Sequence, residues 1–249
     1  MEKYTLVNKI GTGGFGRVFI AERKEDGERV AIKLIPLKKV DWLGSLINIP
    51  LEVFVLTQLK EVPRVCKILD YFKYSSYFCV VMEYYKGVDL YDYITEKGHL
   101  SVEKTTTIIR ELVETLIELE KKNIYHNDIK DENIMINKDG KITLIDFGAA
   151  TFDGSTTHVE FNGTRVYAPP EWIVRGSYNP QHATTWALGL LLVDMLVGNV
   201  PFETDYNIIR GTYSLPAVVP SSTKNLINKC LNKDPARRPS LEEILHLLE

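Results

Sequence analysis

The sequence predicts an α+β chain: a small strand-rich part followed by a larger, mainly helical part. Three observations predict this class. Runs rich in Val, Ile and Phe crowd residues 1–83. Beyond Lys86-Gly87 the apolar residues recur at helical rather than strand spacing. Charge divides along the same line. Residues 1–83 carry 13 basic and 10 acidic side chains, net +3, and residues 84–249 carry 17 and 23, net −6. Strands segregated from helices, rather than alternating with them, are the mark of α+β order.

The elements follow in chain order. Tyr4–Ile10, Arg17–Arg23 and Arg29–Ile35 read as strands. The last two are joined by Lys24-Glu25-Asp26-Gly27-Glu28, whose Asp-Gly suits a hairpin. Pro50 opens a helical pattern through Leu59, since proline fits a first helical turn. Cys66–Tyr74 and Tyr77–Glu83 are two further strands. Ile109, Leu112, Val113 and Leu116 fall at i, i+3, i+4 and i+7, predicting an amphipathic helix from about Val102 to Lys121. A hairpin of Ile134–Ile136 and Ile142–Ile145 turns at Asn137-Lys138-Asp139-Gly140. Residues 149–170 are polar with little periodicity, and a loop that long inside a compact domain is often functional. Trp186–Val197 is apolar on nearly every side and predicts a buried helix. Ser240-Leu241-Glu242-Glu243 is a capping box that starts a final helix.

Composition excludes several function classes. With 249 residues, 45% apolar and 25% charged, the chain is an ordinary globular one. Its net charge of −3 argues against bulk nucleic-acid binding. The longest apolar stretch, Ala187–Val197, is too short to span a bilayer and contains Asp194. The opening MEKYTLVNKI has no apolar secretory core, and Glu2 stands where N-myristoylation requires glycine. No membrane partner is therefore expected. Cys66, Cys79 and Cys230 have no C-x-x-C spacing, so a reducing compartment, cytoplasmic or nuclear, is expected. There is no G-x-S-x-G and no H-E-x-x-H, which leaves hydrolase and metalloenzyme readings without support.

Four segments carry chemistry. Gly11-Thr12-Gly13-Gly14-Phe15-Gly16-Arg17-Val18 fits G-x-G-x-x-G-x-V. Glycines let backbone N–H groups approach phosphate oxygens that a Cβ would hold away. A dinucleotide site would need a helix after the glycines, and here a strand follows. A plain Gly-rich turn is the other reading. Val30-Ala31-Ile32-Lys33 sets a lysine within an apolar strand, either as a solvated edge residue or as a phosphate ligand steadied by a carboxylate. Glu52 is the candidate partner. Tyr125-His126-Asn127-Asp128-Ile129-Lys130-Asp131-Glu132-Asn133 sets a carboxylate, an amine and an amide in one short loop, which a polar turn would also explain. Thirteen residues past Asn133, Asp146-Phe147-Gly148 closes an apolar strand. An Asp there suits Mg²⁺, a hard ion that prefers carboxylate oxygen.

Together these segments resemble the signature set of eukaryotic protein kinases, in the same order and spacing. The resemblance extends to Ala168-Pro169-Pro170-Glu171 and to Asp234-Pro235-Ala236-Arg237-Arg238-Pro239. It implies a two-lobed fold, with a small antiparallel β-sheet lobe carrying one main helix (1–83), a hinge (84–88) and a larger helical lobe (89–249). It implies ATP and Mg²⁺ as cofactors and a cleft that brings them to the catalytic groups. By the same resemblance Asp128 is the catalytic base, Lys130 steadies the γ-phosphate, and Asn133 and Asp146 hold Mg²⁺. Lys33 contacts the α/β-phosphates and pairs with Glu52. Gly11, Gly13, Gly14 and Gly16 cover the phosphates, Val18 and Ala31 sandwich the adenine, and Met82 is the gatekeeper. Glu83 and Tyr85 bond the nucleotide at the hinge, with Asp89 beside them. Leu56, His126 and Phe147 are stacked spine residues. Glu171 and Arg238 form a buried ion pair.

Asp128-Ile129-Lys130 and Gly163-Thr164-Arg165 resemble serine/threonine rather than tyrosine kinases. Phe161–Tyr167, Pro169–Trp172, Ile49–Val53 and Asp89–Glu96 are most similar to the PIM kinases. Three departures stand out. Asn127 replaces the arginine that meets an activation-loop phosphate, so activity without phosphorylation of that loop is expected. Thr184 replaces a bracing aspartate that the PIM kinases also lack. The hinge is one residue shorter than in the PIM kinases and has no proline. Asp89, Asp92 and Glu132, with Thr164, border the expected peptide groove. Together with the acidic larger part they predict protein substrates carrying Arg or Lys N-terminal to the target Ser or Thr. A monomer is the default expectation. The competing reading from another class is a pseudokinase scaffold that binds partners without phosphoryl transfer. Lys33, Asp128, Asn133 and Asp146 are all present, whereas pseudokinases usually lose one. A small-molecule phosphotransferase is a further rival, and Gly163–Glu171, similar to a peptide-positioning loop, speaks against it.

Overall fold

The computed structural model describes residues 1–14, 16–43, 49–152 and 155–248; Phe15 of the glycine motif lies outside them. The chain divides into two compact units, Met1–Lys86 and Gly87–Glu249.

The first unit is a five-stranded antiparallel sheet with one α-helix against it. In chain order it contains β1 (Tyr4–Gly13), β2 (Gly16–Arg23), β3 (Arg29–Pro36), α1 (Leu51–Gln58), β4 (Ile68–Tyr74) and β5 (Tyr77–Glu83). The strands lie in the order β1-β2-β3-β5-β4. β1 runs three residues past the expected Ile10, because Gly11 pairs with Val18 and Gly13 with Gly16. The glycine motif is thus the tip of a hairpin. At Gly16 a Cβ would come 2.6 Å from the Leu34 carbonyl oxygen, so β2 reaches β3 there only without a side chain. The Asp-Gly turn forms as expected, with Gly27 at φ +74 and Asp26 bonded to Arg23 at 2.6 Å. One face of the sheet buries Tyr4, Ala21, Val30, Ile32, Leu34, Cys79 and Val81. Pro50 is the N-cap residue of α1, whose Val53, Val55 and Leu56 are buried.

The second unit is mainly helical. It opens with β6 (Val88–Asp89) and α2 (Leu90–Lys97), followed by α3 (Val102–Glu120). Asp89 caps α2 through a 2.8 Å bond from the Asp92 N–H. Ser101 caps α3, which buries Ile108, Ile109, Leu112, Val113 and Leu116, the stripe read from the periodicity. β7 (Ile124–Tyr125), β8 (Ile134–Ile136) and β9 (Ile142–Leu144) come next, then β10 (Thr151–Phe152). β8 pairs with both β6 and β9, and β10 pairs with β7. Residues 149–170 are therefore not wholly loop.

Helices α4 (Pro170–Arg175), α5 (Pro180–Val197), α6 (Asp205–Arg210), α7 (Ser221–Cys230) and α8 (Leu241–Leu247) complete the unit. α5 begins six residues before the expected Trp186, because Asn179 caps it and Pro180 opens it. It is the core helix, with Trp186, Leu188, Leu190 and Leu191 fully buried. The capping box forms at Ser240 and Glu243, with bonds of 2.8 and 3.2 Å. Glu171 and Arg238 meet in a fork of 2.8 and 2.7 Å, with the guanidinium 4.9 Å from the Trp186 ring centroid. All three cysteines are buried. Among the described residues no helix is long and apolar enough to cross a membrane.

Candidate active site

In the first unit the candidate side chains stand on the three central strands and on α1. Lys33 sits mid-strand on β3 and is 3% exposed, which excludes the solvated-edge reading. Its Nζ lies 2.6 Å from Oε1 of Glu52, itself 7% exposed, on the first turn of α1. Two charges this far from water persist only as a pair. Register places Val18 opposite Lys33 and Ala31 opposite Met82. Met82 is buried on β5, and the following Glu83 is exposed. Among the described residues nothing lies within 4 Å of a Cβ built at Gly14, so the hairpin tip is open there, as an approach to phosphate requires. Lys39 donates to the Gly14 carbonyl at 3.0 Å and pins that tip, a role no motif revealed.

In the second unit the loop between β7 and β8 gathers the catalytic candidates. His126 is buried and donates from Nε2 to the Ile145 carbonyl at 3.0 Å, while Nδ1 accepts the Asp128 N–H at 3.3 Å. Its ring meets Phe147 edge-on at 4.7 Å. The imidazole is therefore a strut that sets the backbone of Asp128. Asn127 has φ +61, the left-handed region that asparagine tolerates better than most residues. Its Nδ2 donates to the Ala149 carbonyl and to Thr151 Oγ1, each at 3.1 Å. Its buried Oδ1 has no partner among the described residues.

Asp128 is held from two sides. Oδ1 accepts the Thr164 N–H at 2.7 Å, and Oδ2 accepts Nδ2 of Asn133 at 2.9 Å. Lys130 Nζ lies 3.8 Å from Oδ2 of Asp128 and 2.5 Å from Glu132. Burial works to lower the Lys130 pKa, but Glu132 and Asp128 outweigh it, so the ammonium is held charged. Asn133 spends its amide nitrogen on Asp128, which leaves its amide oxygen for a ligand. Asp146 stands one residue beyond Ile145, whose N–H donates to the Asn133 carbonyl at 2.9 Å. The β8–β9 register thus sets Asn133 opposite Ile145, the residue just before Asp146. Asp146 has φ +58 and accepts the Gly148 N–H at 3.2 Å. An amide oxygen and a carboxylate fit Mg²⁺, which keeps water and phosphate oxygens in its remaining positions, and do not fit zinc.

The acidic residues expected at the peptide groove do gather. Burial, and then the nearby Asp92 and Glu132 carboxylates, push the Asp89 pKa up against the pull of its capping bond. Thr164 enters through its backbone N–H. Thr184, standing in place of the bracing aspartate, spends its hydroxyl within α5, donating to the Pro180 carbonyl at 2.8 Å. A cavity of about 10 Å³ lies there instead, lined by Asn127, Ile129, Tyr167 and Thr184 among others. Another feature no motif revealed is the closeness of the buried Asp131 and Asp194 carboxylates, with Tyr167 donating to Asp131 at 3.4 Å. Burial and the neighbouring Asp131 push Asp194 up to about 7.

The model of the protein kinase domain matches residues 4–247. A serine/threonine-protein kinase pim-2 of Danio rerio is 36% identical over 98% of this chain and 83% of its own length. A serine/threonine-protein kinase prk-2 of Caenorhabditis elegans is 38% identical over 98% of this chain, which spans 57% of that relative. Aurora kinase C of Mus musculus is 31% identical over 97% of this chain and 89% of its own. With a family match over nearly its whole length and relatives of this kind, the chain belongs to the protein kinase family, on its serine/threonine side.

Proposed function

We propose that the chain moves the γ-phosphate of ATP to Ser and Thr hydroxyls of basic protein substrates, and does so without activation-loop phosphorylation. The observation that carries the first part is Asp128, fixed through both oxygens by Thr164 and Asn133 with the Lys130 ammonium beside it. Asp128 takes the hydroxyl proton as the substrate oxygen bonds to phosphorus. The bond from phosphorus to the bridging oxygen breaks, and its electrons leave with ADP. Lys130 offsets charge on the moving phosphoryl group. Asn133 and Asp146 would hold Mg²⁺, which when bound neutralises phosphate charge. Lys33, oriented by Glu52, would take the α/β-phosphates, with Gly11, Gly13, Gly14 and Gly16 along the same groups. Val18, Ala31 and Met82 would line the adenine, while the Glu83 carbonyl and the Tyr85 amide hydrogen-bond its edge.

Independence from phosphorylation rests on Asn127. An amide bonded to Ala149 and Thr151 offers no charge to a phosphate, yet Asp128 is already held. The basic preference rests on Asp89, Asp92 and Glu132, which lie close together within residues 84–249, a stretch of net −6. Single exposed pairs contribute only roughly 0.2–1 kcal/mol, so several carboxylates must act together. A positional peptide library, run before and after phosphatase treatment, tests both parts. Selection of Arg or Lys N-terminal to the acceptor, with kcat unchanged by phosphatase, is expected. A flat library refutes the first, and loss of most of the kcat refutes the second.

A further inference from the structure

Gly163, Thr164 and Arg165 are three consecutive residues with three separate attachments. Gly163 packs so tightly on the Asn127 carbonyl that a side chain there would collide with it. Thr164 donates its N–H to Asp128 at 2.7 Å. Arg165 grips Asp205 with two bonds, Nε to Oδ1 at 3.0 Å and Nη2 to Oδ2 at 2.6 Å. Asp205 is the first residue of α6, whose turn is fixed by Thr204 accepting the Asn207 N–H. The same guanidinium lies 4.7 Å from the Trp172 ring centroid, and Trp172 in turn donates Nε1–H to the Val159 carbonyl at 2.9 Å. The Phe161 ring lies against Trp172 in a tilted contact, centroids 5.1 Å apart.

We infer that Arg165 and Asp205 form a positioning clamp that holds the Thr164 amide against Asp128 and thereby sets the affinity for the protein substrate. The clamp rests on the reading of Asp128 as the catalytic base. Its placement explains why the pair is a two-bonded fork rather than a lysine contact. A planar guanidinium bonded in register to a carboxylate and seated on an indole fixes direction, which a point charge on a flexible stem does not. The side chains are 55% and 44% exposed, so the pair adds little to global stability. What it fixes is local: the Arg165–Tyr167 turn that begins at Thr164.

The test compares Arg165→Ala, Arg165→Lys, Asp205→Asn and the swapped pair Arg165→Asp with Asp205→Arg. Hydrogen exchange at the Thr164 amide is the first readout and needs no turnover. It is expected to quicken in Arg165→Ala and Asp205→Asn by about two- to fivefold, the span an exposed pair supplies, and to return toward the parent rate in the swap. The second readout is steady-state kinetics on a serine peptide with arginines N-terminal to the acceptor. The peptide KM is expected to rise by a similar factor in Arg165→Ala and Asp205→Asn, with the KM for ATP and the melting temperature near those of the parent. Arg165→Lys is expected to recover only part of the loss. Thr164 exchange that is unchanged in Arg165→Ala, or a swap that restores neither readout, overturns the clamp. A parent enzyme that ignores the peptide while Thr164 still loses protection in Arg165→Ala refutes the substrate reading and leaves the clamp standing.

Discussion

Asp194 shows how a single buried group leaves a measurable trace. Its pKa is pushed up to about 7 by burial and by the adjacent Asp131 carboxylate. The folded chain therefore binds a proton there more tightly than the unfolded chain does. Stability from this group is full below the ordinary aspartate range and is lost as pH rises through about 7. The melting temperature is expected to decline across that window in the parent and to decline less in Asp194→Asn. Equal slopes in a thermal series would contradict the assignment. Asp128, Asn133 and Asp146 could be nominated from motif order, because the proposed chemistry fixes their residue types and short loops fix their spacing. Lys39 and Arg165 were not, since each acts on a group 25 or 40 residues away that only the fold brings near. Glu52 could be nominated as a partner for Lys33, but only burial of both side chains removes the solvated alternative.

Elements were legible where periodicity or capping is strong. α3 and the capping box of α8 fall where the sequence puts them. Ser240→Ala removes the acceptor for the Glu243 N–H, and about 0.5–2 kcal/mol of stability is expected to go with it in denaturant unfolding. No change in midpoint would show the box to be ornamental. α2, α6 and α7 escaped the sequence reading for physical reasons. α6 has only six residues and buries only Ile208. α7 opens on Ser221-Ser222-Thr223-Lys224 and buries just Leu226, Ile227 and Cys230. α2 has only eight residues, is capped by Asp89 and buries only Leu90 and Ile94. β1 outran its predicted end because glycines, poor strand formers alone, are carried into the ladder by their partners on β2.

At the scale of the whole chain, each unit has its own reason to fold. The first closes a sheet over one apolar face, and the second winds its helices about α5. The Glu171–Arg238 fork ties α4 to the segment before α8, with the arginine side chain wholly buried. Arg238→Met strands the Glu171 carboxylate away from water, and roughly 3–5 kcal/mol is expected to be lost in equilibrium unfolding. A loss below about 1 kcal/mol would mean that Glu171 finds another partner or water. The α+β order and the charge division were legible from residue content, because they need no partner. The convergence of Asp131, Tyr167 and Asp194 was not, because three distant stretches supply it. The central claim, that Asp128 is the base of a phosphoryl transfer, is tested most directly by one comparison. Purified parent and Asp128→Asn are given γ-labelled ATP, Mg²⁺ and a basic serine peptide. The parent is expected to label the peptide, and Asp128→Asn to lose about 10²–10⁴-fold in kcat with its ATP affinity kept. A parent that transfers no label, or an Asp128→Asn protein that keeps its kcat, would contradict it.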